Sequence, residues 1–194
     1  MEMKNLTRTE CIVINPQATT PNEVINLLAM RLKHAGRIQD VEAYIRCVMA
    51  RESEGPTALG EELAVPHGKS PEVTEASFAL AIFPREIAWP GLDGDEPVRL
   101  VFLLAIPPTE VGTTHIQLLT TLTSQLTDDT FRQALMAATT PEEVYSLLSG
   151  GSDMNVPEQA PVVYVKQRTN WVTPLVLGVI SLAAVIKAAL DWVG

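Results

Sequence analysis

The sequence predicts an α/β domain with a C-terminal hydrophobic helix. Two apolar runs, Ala76–Phe83 and Val98–Ile106, have the length and composition of buried strands. Apolar residues at helical spacing precede these runs and follow them along the chain. Strands that alternate with helices are typical of a layered α/β domain, so we expect a sheet covered by helices.

The N-terminal part predicts one strand and two helices. Cys11–Ile14 is a short apolar run that ends at Asn15-Pro16. Thr20-Pro21-Asn22-Glu23 has the pattern of a capping box, with proline at the first helical position, so a helix begins there. We expect it to end at Gly36 and a second helix to run from Asp40 to the residue before Gly55.

Residues 57–69 are predicted to be irregular. The run Val98–Ile106 is apolar almost throughout, as expected for a central strand covered on both faces. Three helices follow, at Thr114–Leu126, Asp129–Ala137 and, capped by Thr140, Pro141–Leu148.

Composition narrows the possible functions. The chain has 194 residues and a formal net charge of −9, and that charge lies in residues 1–150. An acidic body argues against nucleic acid as a partner and favours a basic protein surface.

Cys11 and Cys47 have no neighbour at metal-ligand spacing, so we interpret both as reduced core residues of a cytosolic domain. Residues 1–5 lack the apolar run of a secretory signal.

The most informative motif is Val65-Pro66-His67-Gly68-Lys69. Proline disfavours helical backbone at the residue before it, and we expect Gly68 to allow a sharp turn and a close partner. A neutral imidazole at this place is a candidate nucleophile for a phosphoryl group. An ordinary surface histidine is the alternative interpretation.

Two further residues are candidate helpers of His67. A guanidinium can hold two phosphoryl oxygens, and Arg51 lies at the end of the second helix. His115 begins the helix after the central strand, where free N–H groups favour an anion. Both have a structural alternative: Arg51 suits a helix C-terminus and His115 a helix cap. His34, just before Gly36, is interpreted only in that structural way.

Several segments together resemble a known family. Arg51-Glu52 with Pro56–Lys69 resembles the active-site segment of the fructose/mannitol-type (type 2) enzyme IIA domain of the bacterial sugar phosphotransferase system. Asp93–Phe102, His115–Leu119, and Phe131–Leu135 with Thr140–Val144 agree in order and spacing. The resemblance covers about residues 5–149, and we place the domain at 1–149. It implies a mixed β-sheet flanked by helices.

The resemblance also implies a function. His67 matches the histidine that accepts phosphate from the phosphocarrier protein HPr and donates it to a cysteine of an enzyme IIB domain. Arg51 and His115 match the arginine and second histidine around that phosphate. No cofactor or metal is expected. No segment resembles enzyme IIB or a permease, so we expect IIB on a separate chain, with an enzyme IIC permease as a further candidate partner.

The C-terminal part lies outside the resemblance. Residues 150–170 have the composition of a linker. Residues 171–193 are apolar, and the stretch between Trp171 and Trp192 is about 33 Å long as a helix, enough to cross a bilayer. Basic Lys166 and Arg168 precede it, which places the phosphocarrier domain in the cytoplasm at the inner face of the membrane. An interfacial or partner-packing helix is the alternative, since Thr173, Lys187 and Asp191 share one side.

Two other functions compete with sugar transport of the fructose-like class. A nitrogen-type regulatory enzyme IIA shares the phosphohistidine segment but controls partner proteins by binding them. A metal-dependent hydrolase using His67 and His115 lacks a clear third ligand.

Overall fold

A five-stranded mixed sheet forms the centre of the domain. The structure is a computed structural model, and it describes residues 3–108, 120, 122 and 124–150. The strands are β1 (Ile12–Ile14), β2 (Leu63–Ala64), β3 (His67–Lys69), β4 (Ser77–Pro90) and β5 (Asp95–Ile106).

The sheet is built around β5. β4 and β5 form a long antiparallel hairpin, while β2 and β3 pair with the other edge of β5 in parallel. β1 pairs with β4 in parallel and forms the outer edge. The sheet is therefore mixed, as the family resemblance implied.

Helices cover both faces of the sheet. The helices α1 (Pro21–His34) and α2 (Val41–Glu54) pack on one face, and α3 (Asp129–Ala137) and α4 (Pro141–Leu148) contribute to the other. Alternate residues of β5 divide between the two cores: Val101 and Leu103 join the α1–α2 side, and Phe102 and Leu104 the opposite side. This confirms the prediction of a central strand covered on both faces.

Capping residues set the helix boundaries as predicted. Thr20 accepts a hydrogen bond from the N–H of Glu23, whose carboxylate accepts from the N-cap backbone, so the capping box of α1 is complete. Asp40 caps α2 through the N–H of Ala43. Thr140 and Glu143 form a second capping box on α4. These local bonds explain why the sequence located these helices well.

The prediction that residues 57–69 are irregular is wrong in part. Leu63–Ala64 and His67–Lys69 are strands paired with β5. Strands of two and three residues are too short to show a periodic pattern, and their pairing is with a distant segment. The 90–95 turn is also shorter than expected, since β4 extends to Pro90.

Glycine at position 68 serves close packing rather than a turn. Its backbone lies in a strand, and a Cβ there would be 2.7 Å from Cγ2 of Val48 and 3.1 Å from Cε2 of Tyr44. The expectation of a sharp bend at Gly68 is therefore wrong. The missing side chain instead lets α2 lie directly against β3.

Cys11 is buried and Cys47 is partly exposed, and both are free thiols. Burial raises the pKa of the Cys11 thiol.

Of the helix predicted at Thr114–Leu126, the described residues near its end are helical. Its first part, including His115, lies outside the described residues, as do residues 151–170 of the linker and the hydrophobic helix at 171–193. Within the part that is described, no helix is long and apolar enough to cross a bilayer.

We expect Gly68→Ala to lower the free energy of unfolding by about 1–3 kcal/mol, because the new methyl group overlaps Val48 and forces α2 away from β3. Urea denaturation of the purified protein measures this. Gly55→Ala is the matched control, since a Cβ there meets no atom within 4 Å. Equal stability of the two variants would contradict the close-packing role.

Candidate active site

His67 is the first residue of β3, and the sheet fixes its backbone. It lies opposite Leu104 of β5, whose N–H donates a hydrogen bond to the carbonyl of Pro66 at 2.9 Å. The Tyr44 hydroxyl of α2 donates to the Leu104 carbonyl at 2.8 Å. Only 6% of His67 is exposed, which contradicts the alternative of an ordinary surface histidine.

Arg51 approaches His67 from the last turn of α2. Its Nε–H donates to Nε2 of His67 at 3.0 Å, and its Nη1 donates to the carbonyl of Gly55 at 3.0 Å. The second bond anchors the guanidinium to the backbone just beyond the helix. The arginine therefore satisfies the helix terminus and contacts the histidine at the same time, so the two interpretations of Arg51 are compatible.

The other ring nitrogen of His67 faces a backbone carbonyl. Nδ1 lies 3.0 Å from the carbonyl oxygen of Val65. A carbonyl only accepts, and the Arg51 N–H only donates, so this network assigns the proton to Nδ1 and leaves the Nε2 lone pair toward Arg51. The nucleophilic atom of this tautomer is Nε2, beside a guanidinium that can bind phosphoryl oxygens.

The segment 57–65 is a tight hairpin that leads into the site. The Val65 N–H donates to the Thr57 carbonyl and the Leu59 N–H to the Leu63 carbonyl, both at 2.9 Å. The turn consists of three consecutive residues with positive φ, Gly60, Glu61 and Glu62. Such backbone costs about 1–3 kcal/mol at each non-glycine residue, so the surrounding structure must hold it.

Neighbouring elements hold this turn in place. Arg132 of α3, which is almost completely buried, pairs with Glu61 at 2.8 Å and also bonds Asp129 and the Leu126 carbonyl. The N–H groups of Arg99 and Leu100 in β5 donate to the Glu62 carbonyl at 2.8 and 2.9 Å, and the Glu96 carboxylate accepts from the Gly60 N–H at 3.0 Å. The loop before His67 is thus tied to both β5 and α3.

Glu52, next to Arg51, carries an unusual carboxyl group. Its Oε1 accepts a hydrogen bond from the Thr57 hydroxyl at 2.7 Å. Burial raises its pKa, although the Thr57 hydroxyl, the Arg51 charge and the nearby indole N–H of Trp89 act in the opposite direction. That indole nitrogen is buried without a partner of good hydrogen-bond geometry among the residues described.

The structure brings together two of the three predicted site residues. Arg51 and His67 are in direct contact, while the position of His115 lies outside the described residues. His34 is exposed at the end of α1. Within the described residues, no group of three side chains could hold a metal ion.

Sequence reasoning missed the roles of Glu52, Thr57 and the Val65 carbonyl. Glu52 and Thr57 were part of the segment that carried the family resemblance, but nothing in their spacing paired them. The Val65 carbonyl belongs to the backbone, so no residue pattern could identify it as the partner of Nδ1.

A sheet-borne histidine whose ring nitrogens contact an arginine and a carbonyl defines a candidate phosphohistidine site. The chain matches, over residues 5–150, the family described as "Phosphoenolpyruvate-dependent sugar phosphotransferase system, EIIA 2". It therefore belongs to the type 2 enzyme IIA family, whose members are phosphotransferase components of the phosphoenolpyruvate-dependent phosphotransferase system.

Relatives and solved structures agree with this assignment. The chain is 49% identical over 148 residues to the 2-O-α-mannosyl-D-glycerate-specific EIIABC component of Escherichia coli, covering 76% of this chain and 22% of that protein. The chain thus spans about a fifth of that relative's length.

Among solved structures, the nitrogen regulatory protein IIA-Ntr of Neisseria meningitidis superposes with a TM-score of 0.66 at 25% identity, over 75% of this chain and 97% of the other. Enzyme IIA of mannitol, in its complex with phosphorylated enzyme IIB from Escherichia coli, gives a TM-score of 0.63 at 30% identity, over 74% and 97% of the two chains.

Proposed function

We propose that this chain is a phosphoryl carrier that accepts phosphate from HPr on Nε2 of His67 and passes it to a cysteine of an enzyme IIB domain. The observation that carries the proposal is the pair of contacts at His67, Arg51 Nε at 3.0 Å from Nε2 and the Val65 carbonyl at 3.0 Å from Nδ1. Together they present one ring nitrogen as nucleophile and place a cation beside it.

The bonds formed and broken in the transfer balance, and no proton has to be exchanged with solvent. The Nε2 lone pair forms a bond to phosphorus while the nitrogen–phosphorus bond of the donor phosphohistidine breaks, and the donor imidazole keeps that electron pair. The proton on Nδ1 of His67 stays in place, and the Val65 carbonyl stabilises the positive charge that the ring acquires. The thiolate of IIB then attacks phosphorus, and Nε2 regains its lone pair.

Arg51 and His115 are the proposed helpers of this step. The guanidinium has donors besides the Nε–H that contacts Nε2, so Arg51 can rotate onto the equatorial oxygens once a phosphoryl group occupies that nitrogen. We propose, on the family resemblance alone, that His115 donates a further hydrogen bond to those oxygens.

The substrate class is a sugar taken up through a partner permease. The fructose-like motifs of the sequence support a sugar as the transported substrate. The 49% identity to a mannosylglycerate-specific relative supports a sugar that carries a glycosidic bond. That relative's name joins A, B and C components, which supports IIB and IIC as the partners of the domain. We propose that the domain works in the cytoplasm and that residues 171–193 hold it at the inner face of the membrane.

A regulatory role is the second candidate, because the regulatory IIA-Ntr of Neisseria meningitidis shares the fold at 25% identity. A regulator would use the same phosphohistidine as a switch for binding other proteins. Onward transfer of phosphate therefore separates the two functions.

We expect His67→Ala to abolish labelling when the protein is incubated with enzyme I, HPr and labelled phosphoenolpyruvate. The wild-type label should be stable in base and labile in acid, as nitrogen-linked phosphate is. His34→Ala is the matched control, because His34 is exposed on α1. This variant should be labelled like the wild type. A label that persists in the His67→Ala protein would refute the proposed site.

Arg51→Ala and His115→Ala are expected to fold normally and to accept phosphate more slowly, by about 100-fold for Arg51, since each removes a donor to the transferring phosphoryl group. Rapid-quench measurement of single-turnover labelling gives the rates. Unchanged labelling rates in both variants would show that Arg51 and His115 have only a structural role.

The labelled wild-type protein should transfer its phosphate to the IIB domain of a mannosylglycerate-type transporter within one incubation, because a carrier returns Nε2 to its free state. Gel separation of the two proteins measures the label on each. Stable labelling without transfer to that domain or to fructose- and mannitol-type IIB domains would instead favour the regulatory role.

A further inference from the structure

Glu52 is an acidic residue in an unfavourable position. It lies in the last turn of α2, where the helix dipole disfavours negative charge, and burial raises its pKa. The buried indole N–H of Trp89 lies near it. A carboxyl group that is desolvated at the C-terminal end of a helix is a candidate for a functional role.

Hydrogen bonds connect this carboxyl group to the histidine through the backbone. The Thr57 hydroxyl donates to Glu52 Oε1 at 2.7 Å. The Thr57 carbonyl accepts from the Val65 N–H at 2.9 Å, and the Val65 carbonyl faces Nδ1 of His67 at 3.0 Å. We name these four residues, Glu52, Thr57, Val65 and His67, the tautomer chain.

The tautomer chain complements the contact made by Arg51. Glu52 follows Arg51 directly in α2, yet the two side chains are connected to His67 by different routes: Arg51 contacts Nε2 directly, and Glu52 is linked to Nδ1 through Thr57 and Val65. One helix end is therefore connected to both ring nitrogens. Thr57 is 3% exposed, so its hydroxyl cannot readily exchange Glu52 for water.

We propose that Glu52 is a positioning residue for phosphoryl transfer: by holding Thr57 it keeps the Val65 carbonyl against Nδ1 and so maintains the tautomer in which Nε2 is the nucleophile. The inference rests on the proposed phosphoryl-carrier function for its kinetic consequence. Its geometric content, the tautomer of the unphosphorylated protein, is independent of that function.

The kinetic experiment measures single-turnover labelling by phosphorylated HPr in Glu52→Ala, Glu52→Gln and Thr57→Val. Glu52→Ala removes the acceptor of the Thr57 hydroxyl and should slow labelling by about 10- to 100-fold. A small misplacement of a reacting group has an effect of this size. Glu52→Gln keeps an oxygen acceptor for Thr57 and should retain most of the rate. Glu54→Ala, an exposed residue of the same helix, is the control.

A double variant tests whether Glu52 and Thr57 act together. Residues in one hydrogen-bonded network have non-additive effects. The Glu52→Ala/Thr57→Val protein should therefore be no slower than the slower single variant. Multiplied losses, or a Glu52→Gln protein as slow as Glu52→Ala, would overturn the proposed hydrogen-bond mechanism.

Nitrogen-15 NMR of the imidazole gives a readout that a purely structural role would not change. The wild-type His67 signals should show the proton on Nδ1, and Glu52→Ala should show a mixture of tautomers while Glu52→Gln resembles the wild type. Wild-type tautomer and rate in Glu52→Ala would refute the inference. If the tautomers change as expected but wild-type protein accepts no phosphate, the proposed phosphoryl-carrier function fails, and only the control of the His67 tautomer by Glu52 stands.

Discussion

The close approach of α2 to β3 is the constraint on which the site depends. Because Gly68 has no side chain, Val48 and Tyr44 pack directly over the strand that begins with His67. Arg51 lies one helical turn after Val48, so the same packing brings its guanidinium to 3.0 Å from Nε2. A wider spacing would break this contact even if both residues were unchanged.

The hairpin before His67 supplies the second half of the arrangement. Its turn of three positive-φ residues is a costly backbone conformation, and it is held by the buried Arg132 from α3 and by N–H donors of β5. The same hairpin ends at Val65, whose carbonyl lies 3.0 Å from Nδ1. The positive-φ turn and the carbonyl that faces Nδ1 are therefore parts of one hairpin, three residues apart along the chain.

The charges of Arg51 and Glu52 would have opposite effects on a phosphoryl group at His67. Arg51 provides the positive charge that a phosphoryl group needs, whereas the neighbouring Glu52 would repel that group if its carboxylate pointed at the histidine. Its hydrogen bond to Thr57 turns the carboxyl group to the loop side, and its pKa is raised by burial. In the proposed function, Glu52 therefore contributes through geometry, while the field at Nε2 remains positive.

The sequence by itself determined the local features: capping boxes fixed α1 and α4, Asp40 fixed α2, and apolar runs identified β4 and β5. The residues themselves and the family resemblance indicated His67, Arg51 and His115, whose roles remain predictions. Only the tertiary structure decided that residues 63–64 and 67–69 are strands, that Gly68 serves packing, and that Glu52 reaches His67 through Thr57. These features depend on backbone groups and on contacts between distant segments, and neither has a signature in local periodicity.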